Sequence, residues 1–122
     1  MSRKHSVLIV DDALFMRKML DRIISGAGDY EIYEASRGRE AVALYTEHRQ
    51  DIVFLDISMP EMNGIEVLKE LKEINEEAYV VMCSAIGQES MIMEAMNHGA
   101  AEFIVKPFLP QHIIKALEKS GQ

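Results

Sequence analysis

Three carboxylates, a hydroxyl and an amine stand in this sequence where apolar runs stop. Asp11 and Asp12 follow VLIV, Asp56 closes IVFL, Ser84 follows the run that ends in Cys83, and Lys106 follows FIV. Carboxylates drawn together repel one another, so one pKa rises unless a cation offsets the charge. Oxygen donors with open positions favour Mg²⁺, which keeps several waters and also takes phosphate oxygens. No His or Cys converges with them, as zinc would require. An aspartate beside a divalent cation and a lysine is equipped for phosphoryl transfer. In that chemistry Asp56 attacks phosphorus while the metal, Lys106 and Ser84 bind the equatorial oxygens.

These groups can meet only if the runs before them line up. Residues 7–10 and 52–55 read as short buried strands, residues 31–35 alternate enough to be another, and 79–83 and 103–105 complete the set of five. Helical spacing fills the gaps. Over residues 13–27 the stripe is Met16, Met19, Leu20, Ile23, Ile24 and Ala27, ended by Gly26 and Gly28. A second helix covers about 38–49. A third, N-capped by Asn63, turns Val67, Leu68, Leu71 and Ile74 inward. A fourth covers about 88–98 and stops at Gly99; the last enters at Pro110 and buries Ile113, Ile114 and Leu117. The Gly26–Gly28 pair is no dinucleotide fingerprint, because position 31 is Glu and the glycines close a helix.

Strict strand–helix alternation predicts an α/β fold: a doubly wound, parallel (βα)5 sheet forming one domain over 1–122. In the flavodoxin-like order 2-1-3-4-5, the Asp11–Asp12 tip lies beside the Asp56 tip at the switch point. Ser84 comes next and Lys106 after it, with neighbouring strands ~4.8 Å apart. The flexible stem of Lys106 can then reach back across the cleft.

Composition narrows the class. A chain of 122 residues, 48 % hydrophobic, suits one packed core. The net charge of −7 opposes nucleic-acid binding. The single cysteine, Cys83, allows no intrachain disulfide and fits a reducing cytosol. Strand alternation turns it away from Ser84, as an inert buried thiol. MSRKHS and the apolar residues 7–10 are too short for a signal peptide or membrane span. A soluble, cytoplasmic protein is expected. His5, His48, His98 and His112 lack metal spacing and are expected on the surface. On helix four, 100° per residue turns Ile92, Ala95, Met96 and Gly99 inward. Met91 and Met93 are left on its flanks as an adaptable binding surface.

Together, Asp11-Asp12 after VLIV, Asp56 with MPEMNG behind it, Ser84-Ala85, and Phe103 before Lys106-Pro107 resemble the receiver domain of two-component response regulators. The match covers nearly the whole chain. DDALFMRKML, CSAIGQ and FIVKPF are most similar to stand-alone chemotaxis regulators. The resemblance implies that Asp56 accepts a phosphoryl group from a histidine kinase of the chemotaxis type. It implies Mg²⁺ held by Asp12, Asp56 and the backbone carbonyl of Ser58, with Asp11 acting largely through water. Ser84 and Lys106 would bind the phosphoryl oxygens, with backbone contacts from Ala85 and Ser58. Ala85 is small enough to leave room, and Lys106–Pro107 is expected to be cis.

The same resemblance makes Phe103 an aromatic switch that turns inward as Ser84 is drawn to the phosphoryl group. Phe in place of the Tyr common in chemotaxis members removes any contact made through a hydroxyl. Ser58 and Ile86 occupy positions that modulate hydrolysis of the phosphoaspartate. A monomer is implied, with self-phosphorylation and autodephosphorylation as its only chemistry. The implied output partner is the flagellar motor switch, bound through the face of helix four, strand five and helix five, including Met91, Met93 and Phe103. A phosphatase would reset the switch.

The chain stops after helix five, so no DNA-binding module is expected unless this is a receiver excised from a larger regulator. A phosphorelay intermediate is the alternative within the family. An aspartyl-nucleophile phosphatase would want an acid two residues after Asp56, where Ser58 stands. A flavin carrier would want a hydroxyl-rich loop where Asp11-Asp12 stands.

Overall fold

The computed structural model describes residues 4–121; residues 1–3 of the basic start, and residue 122, lie outside the described residues. The strands are β1 (His5–Val10), β2 (Tyr30–Ala35), β3 (Ile52–Asp56), β4 (Val80–Ser84) and β5 (Glu102–Val105). The helices are α1 (Leu14–Ala27), α2 (Gly38–His48), α3 (Gly64–Ile74), α4 (Glu89–Asn97) and α5 (Pro110–Ser120). All strands are parallel, in the order β2-β1-β3-β4-β5, as expected. Among the described residues, no helix is long and apolar enough to cross a membrane.

Residues 52–55 read as an unbroken apolar run because β3 feeds two cores. Val53 and Leu55 pack with Leu8 and Met82 under α2, α3 and α4. Ile52 and Phe54 pack with Val7, Ile9 and Cys83 under α1 and α5. The alternation puts Cys83 on the second face, as expected, and burial pushes its thiol pKa up.

Three local expectations need correction. The first helix runs through Gly26, and only Gly28 follows its end. His5 is half-buried rather than a surface residue: its ring bonds the Ser120 hydroxyl at 3.1 Å and lies 3.5 Å from Asp51. On α4, Met91 packs half-buried against the core with Ile92, whereas Met96, and Gly99 beyond the helix end, are exposed. Ala95 sets that rotation. As the fully buried residue of the helix, it marks the middle of the inward face, and Met91, one turn earlier, shares that face. Met96 stands 100° further round and faces out.

The turn from β3 into α3 is held tightly. The Asn63 side chain accepts the Glu66 N–H and the Glu66 carboxylate accepts the Asn63 N–H, each at 3.0 Å, a reciprocal cap. Gly64 N–H donates to the Ile57 carbonyl at 2.7 Å. A Cβ at Gly64 would fall on the Asp56 carbonyl oxygen and lie 2.8 Å from Ile57 Cα, so only glycine fits. Gly64→Ala should destabilise the fold by about 1–3 kcal/mol through overpacking. Urea unfolding measures this; wild-type stability would mean that the turn yields freely.

Candidate functional site

Each candidate side chain is placed by the end of a strand. Extending β3 by one residue brings Asp56 into the ladder, in register with Cys83 of β4. Ser84 ends β4, and Lys106 N–H donates to its carbonyl at 2.8 Å. Asp11 follows β1, and its N–H donates to Ala35 at 3.1 Å.

Strand alternation sorts these groups. Asp11, Asp56 and Lys106 continue the face that carries Ile9, Phe54 and Ile104. Ser84 continues the opposite face, two residues beyond Met82, which is in register with Phe103. Ser84 thus shares its sheet face with Phe103, one residue past the position in register with Asp56.

The expected reach of Lys106 is realised. Its ammonium passes β4 and donates to Asp11 Oδ2 at 2.9 Å and Asp56 Oδ1 at 3.1 Å. Both carboxylates are buried. Burial, then the neighbouring charge of Asp11, raises the Asp56 pKa from 3.8 to about 6, against the lowering pull of Lys106 and the Ser58 amide. For Lys106, burial pulls the pKa down, but the Asp11 hydrogen bond and the charges of Asp56 and Asp11 outweigh it, so the net direction is up.

Asp11, Asp12 and Asp56 each offer an oxygen, and the three lie within 4.8 Å of one another. Asp12 is exposed while the others are buried, so an ion held there would keep water on its outer side. Such a hard, all-oxygen donor set suits Mg²⁺. Burial and the charge of Asp11, the two causes that raise the Asp56 pKa, are both costs of its negative form that a bound cation would offset.

Ser84 is fully buried, and among the described residues its hydroxyl has no hydrogen-bond partner. An unmade bond of this kind costs about 1–3 kcal/mol. The Lys106–Pro107 bond is cis, as expected. Ala85 and Ser58 are exposed at the rim. Beyond them a groove of about 560 Å³ runs between α4 and β5, lined by Ile86, Ile92, Met93, Met96, Phe103 and Val105. Phe103 is 45 % exposed and Met93 69 % exposed. Met91 is absent from this lining, so of the expected pair only Met93 belongs to the open surface.

Two residues at the site escaped sequence reading. Arg17, on α1, donates from Nη1 to the Asp11 carbonyl at 2.7 Å and from Nε to Glu34 at 3.2 Å, fixing the β1 tip. Gln88, the residue before α4, bonds both Ala85 and Ser58. A glutamine where Ser, Thr, Asp or Asn usually caps a helix was the available signal.

Comparison with known proteins follows the same lines. The family model of the response regulator receiver domain matches residues 7–118. The chain is 55 % identical over 114 residues to the chemotaxis protein CheY of Thermotoga maritima, covering 93 % of this chain and 94 % of that protein. It is 48 % identical over 116 residues to the chemotaxis protein CheY of Bacillus subtilis, covering 95 % and 97 %. Among solved structures, the complex of CheX, CheY, BeF3 and Mg²⁺ from Borrelia burgdorferi matches with a TM-score of 0.88 and 39 % identity, covering 96 % of this chain and 89 % of that one. CheY itself is a standard example of the 2-1-3-4-5 strand order.

Proposed function

Because this chain belongs to the response regulator receiver domain family, we propose that it is a phosphorylation-activated chemotaxis switch in which Asp56 accepts a phosphoryl group from a histidine kinase. The observation that carries this reading is the orphaned Ser84 hydroxyl, which ends the strand next to that of Asp56, together with the bridge of Lys106 to Asp11 and Asp56. A buried donor without an acceptor is matched to an oxygen that arrives with the phosphoryl group.

In the proposed reaction an Asp56 carboxylate oxygen attacks the phosphorus of a phosphohistidine. The P–N bond breaks, its electron pair goes to the imidazole nitrogen, and that nitrogen takes a proton. Lys106 and the Ser84 hydroxyl donate to the phosphoryl oxygens, as do the Ser58 and Ala85 backbones. Asp12, Asp56 and the Ser58 carbonyl would hold Mg²⁺, with Asp11 acting through water. When bound, the ion supplies positive charge to the oxygens that become more negative. Hydrolysis reverses the modification: water adds to phosphorus, the Asp–phosphoryl bond breaks, and the carboxylate and inorganic phosphate are released.

The charge event is then converted into packing. Ser84 turns toward the phosphoryl oxygens, and Phe103, on the same face of the sheet, turns from its half-exposed position into the space left behind. The proposed output is a monomer binding the flagellar motor switch on the α4–β5–α5 face, reset by a phosphatase. The α4–β5 groove supports this, since exposed methionines make an adaptable apolar surface.

Incubation with acetyl phosphate and Mg²⁺ tests the chemistry. A single phosphoryl mass increase supports the switch, whereas rapid turnover of many phosphomonoesters would favour a phosphatase. For the output face, Met93→Glu puts a charge in the groove. It should weaken binding of a motor-switch peptide to the beryllofluoride form by at least about tenfold, or about 1.4 kcal/mol, while Asp56 is still modified. Unchanged affinity removes Met93 from the interface.

A further inference from the structure

We infer that Gln88 is a latch that holds the acceptor pocket closed in the unmodified protein and competes with the phosphoryl group for its backbone donor. The inference rests on the phosphoryl-acceptor reading of Asp56 and deepens it.

The Gln88 side chain spends both ends of its amide on two loops beside the site. Its Oε1 accepts the Ala85 N–H at 2.7 Å, and its Nε2 donates to the Ser58 hydroxyl at 3.0 Å. Ser58 follows β3 and Ala85 follows β4, so the one side chain ties together the two loops that flank Asp56. It makes no cap bond to α4, although Gln88 occupies the N-cap position of that helix. A side chain at an N-cap ordinarily satisfies its own helix's free N–H groups. Here it turns back to the loops that follow β3 and β4 instead.

The consequence is a competition for one proton. A single N–H at Ala85 cannot serve both the Gln88 carbonyl and a phosphoryl oxygen at full strength, so modification at Asp56 must release Gln88. Release reaches α4 directly. The Gln88 carbonyl accepts the Ile92 N–H at 3.0 Å, in the first turn, and both residues line the α4–β5 groove. Gln88 therefore couples the pocket to the output groove by a route separate from Ser84 and Phe103.

The latch makes a prediction of opposite sign to that of a phosphoryl ligand. Removing it should favour the modified state. Beryllofluoride with magnesium chloride serves as the probe, titrated against wild type, Gln88→Ala, Gln88→Met and Gln88→Glu. Gln88→Met keeps the length and packing of the side chain, so the test does not hang on how the smaller variant folds. Both apolar variants should bind the probe about three- to tenfold more tightly, the range expected for releasing a neutral hydrogen bond. Gln88→Glu, which can still accept from Ala85 but adds negative charge beside the anion, should bind more weakly than wild type. In the free protein, the Ala85 amide should exchange with solvent faster in Gln88→Met than in wild type.

A wild type that binds no beryllofluoride overturns the acceptor reading and the latch together. If wild type binds and Gln88→Met has the same affinity, Gln88 is only a loop staple and the latch alone falls. Weaker binding by Gln88→Met also overturns the latch, because Gln88 would then contact the phosphoryl group.

Discussion

Replacing Asp56 with asparagine should stop phosphoryl uptake and at the same time make the metal-free fold more stable at neutral pH. The loss of uptake follows from the missing nucleophile: an amide oxygen in place of the carboxylate leaves no mass increase with acetyl phosphate. The gain in stability follows from where the charge sits. Burial and the neighbouring Asp11 raise the Asp56 pKa from 3.8 to about 6, so the folded state holds on to a proton that the unfolded chain releases. Stability of the metal-free protein then falls as pH rises from about 4 to about 6, and the penalty is fully present above that range. At about 1.4 kcal/mol per pH unit, the full penalty is about 3 kcal/mol.

Asp56→Asn removes that penalty. Urea unfolding without metal should show the two proteins alike near pH 4 and the variant more stable by about 2–3 kcal/mol at pH 7.5. Added Mg²⁺ should stabilise wild type far more than the variant, since an ion that binds only the folded state stabilises by mass action. Equal stability at both pH values would mean that Asp56 carries no buried-charge penalty, and its place at the centre of the pocket would lose its energetic basis.

The same electrostatics explain which parts of the site can be read from sequence. Asp56 is conspicuous because a carboxylate inside a buried strand costs free energy that a leucine there would not. Asp11 and Lys106 are conspicuous as charges placed directly after the apolar runs of β1 and β5, and parallel pairing carries all three to one edge. That Ser84 and Phe103 share one face also follows from period-two alternation once β4 and β5 are placed side by side.

Gln88 does not follow from any such pattern. Its bond to Ser58 spans thirty positions of chain and depends on the conformation of two loops. Arg17 hides for a different reason, since a cation on an amphipathic helix ordinarily points to solvent. The Met91–Met96 exchange shows the limit of helical periodicity. Spacing defines a stripe, but the rotation of α4 by one position depends on which small residue, here Ala95, approaches the sheet.

Lys106→Met should produce the largest loss of stability of any single change at the site, and the loss should depend on pH and metal. Lys106 Nζ donates to both Asp11 and Asp56, and its charge opposes the rise in the Asp56 pKa. Methionine preserves most of the aliphatic stem but leaves two buried carboxylates facing each other without a cation. Removing one partner of a buried ion pair costs about 3–5 kcal/mol, because the remaining charge stays out of water. That cost should appear at pH 8, where Asp56 is ionised. It should shrink at pH 5, where Asp56, now with a pKa higher still, takes up a proton and the repulsion ends. Mg²⁺ should also recover part of it at pH 8, by supplying from solution the positive charge the lysine provided. Urea midpoints at pH 5 and pH 8, with and without magnesium, give all four values. A loss of the same size in every condition would reduce Lys106 to its packing contacts and remove it as the cation that makes this acidic pocket tolerable without metal.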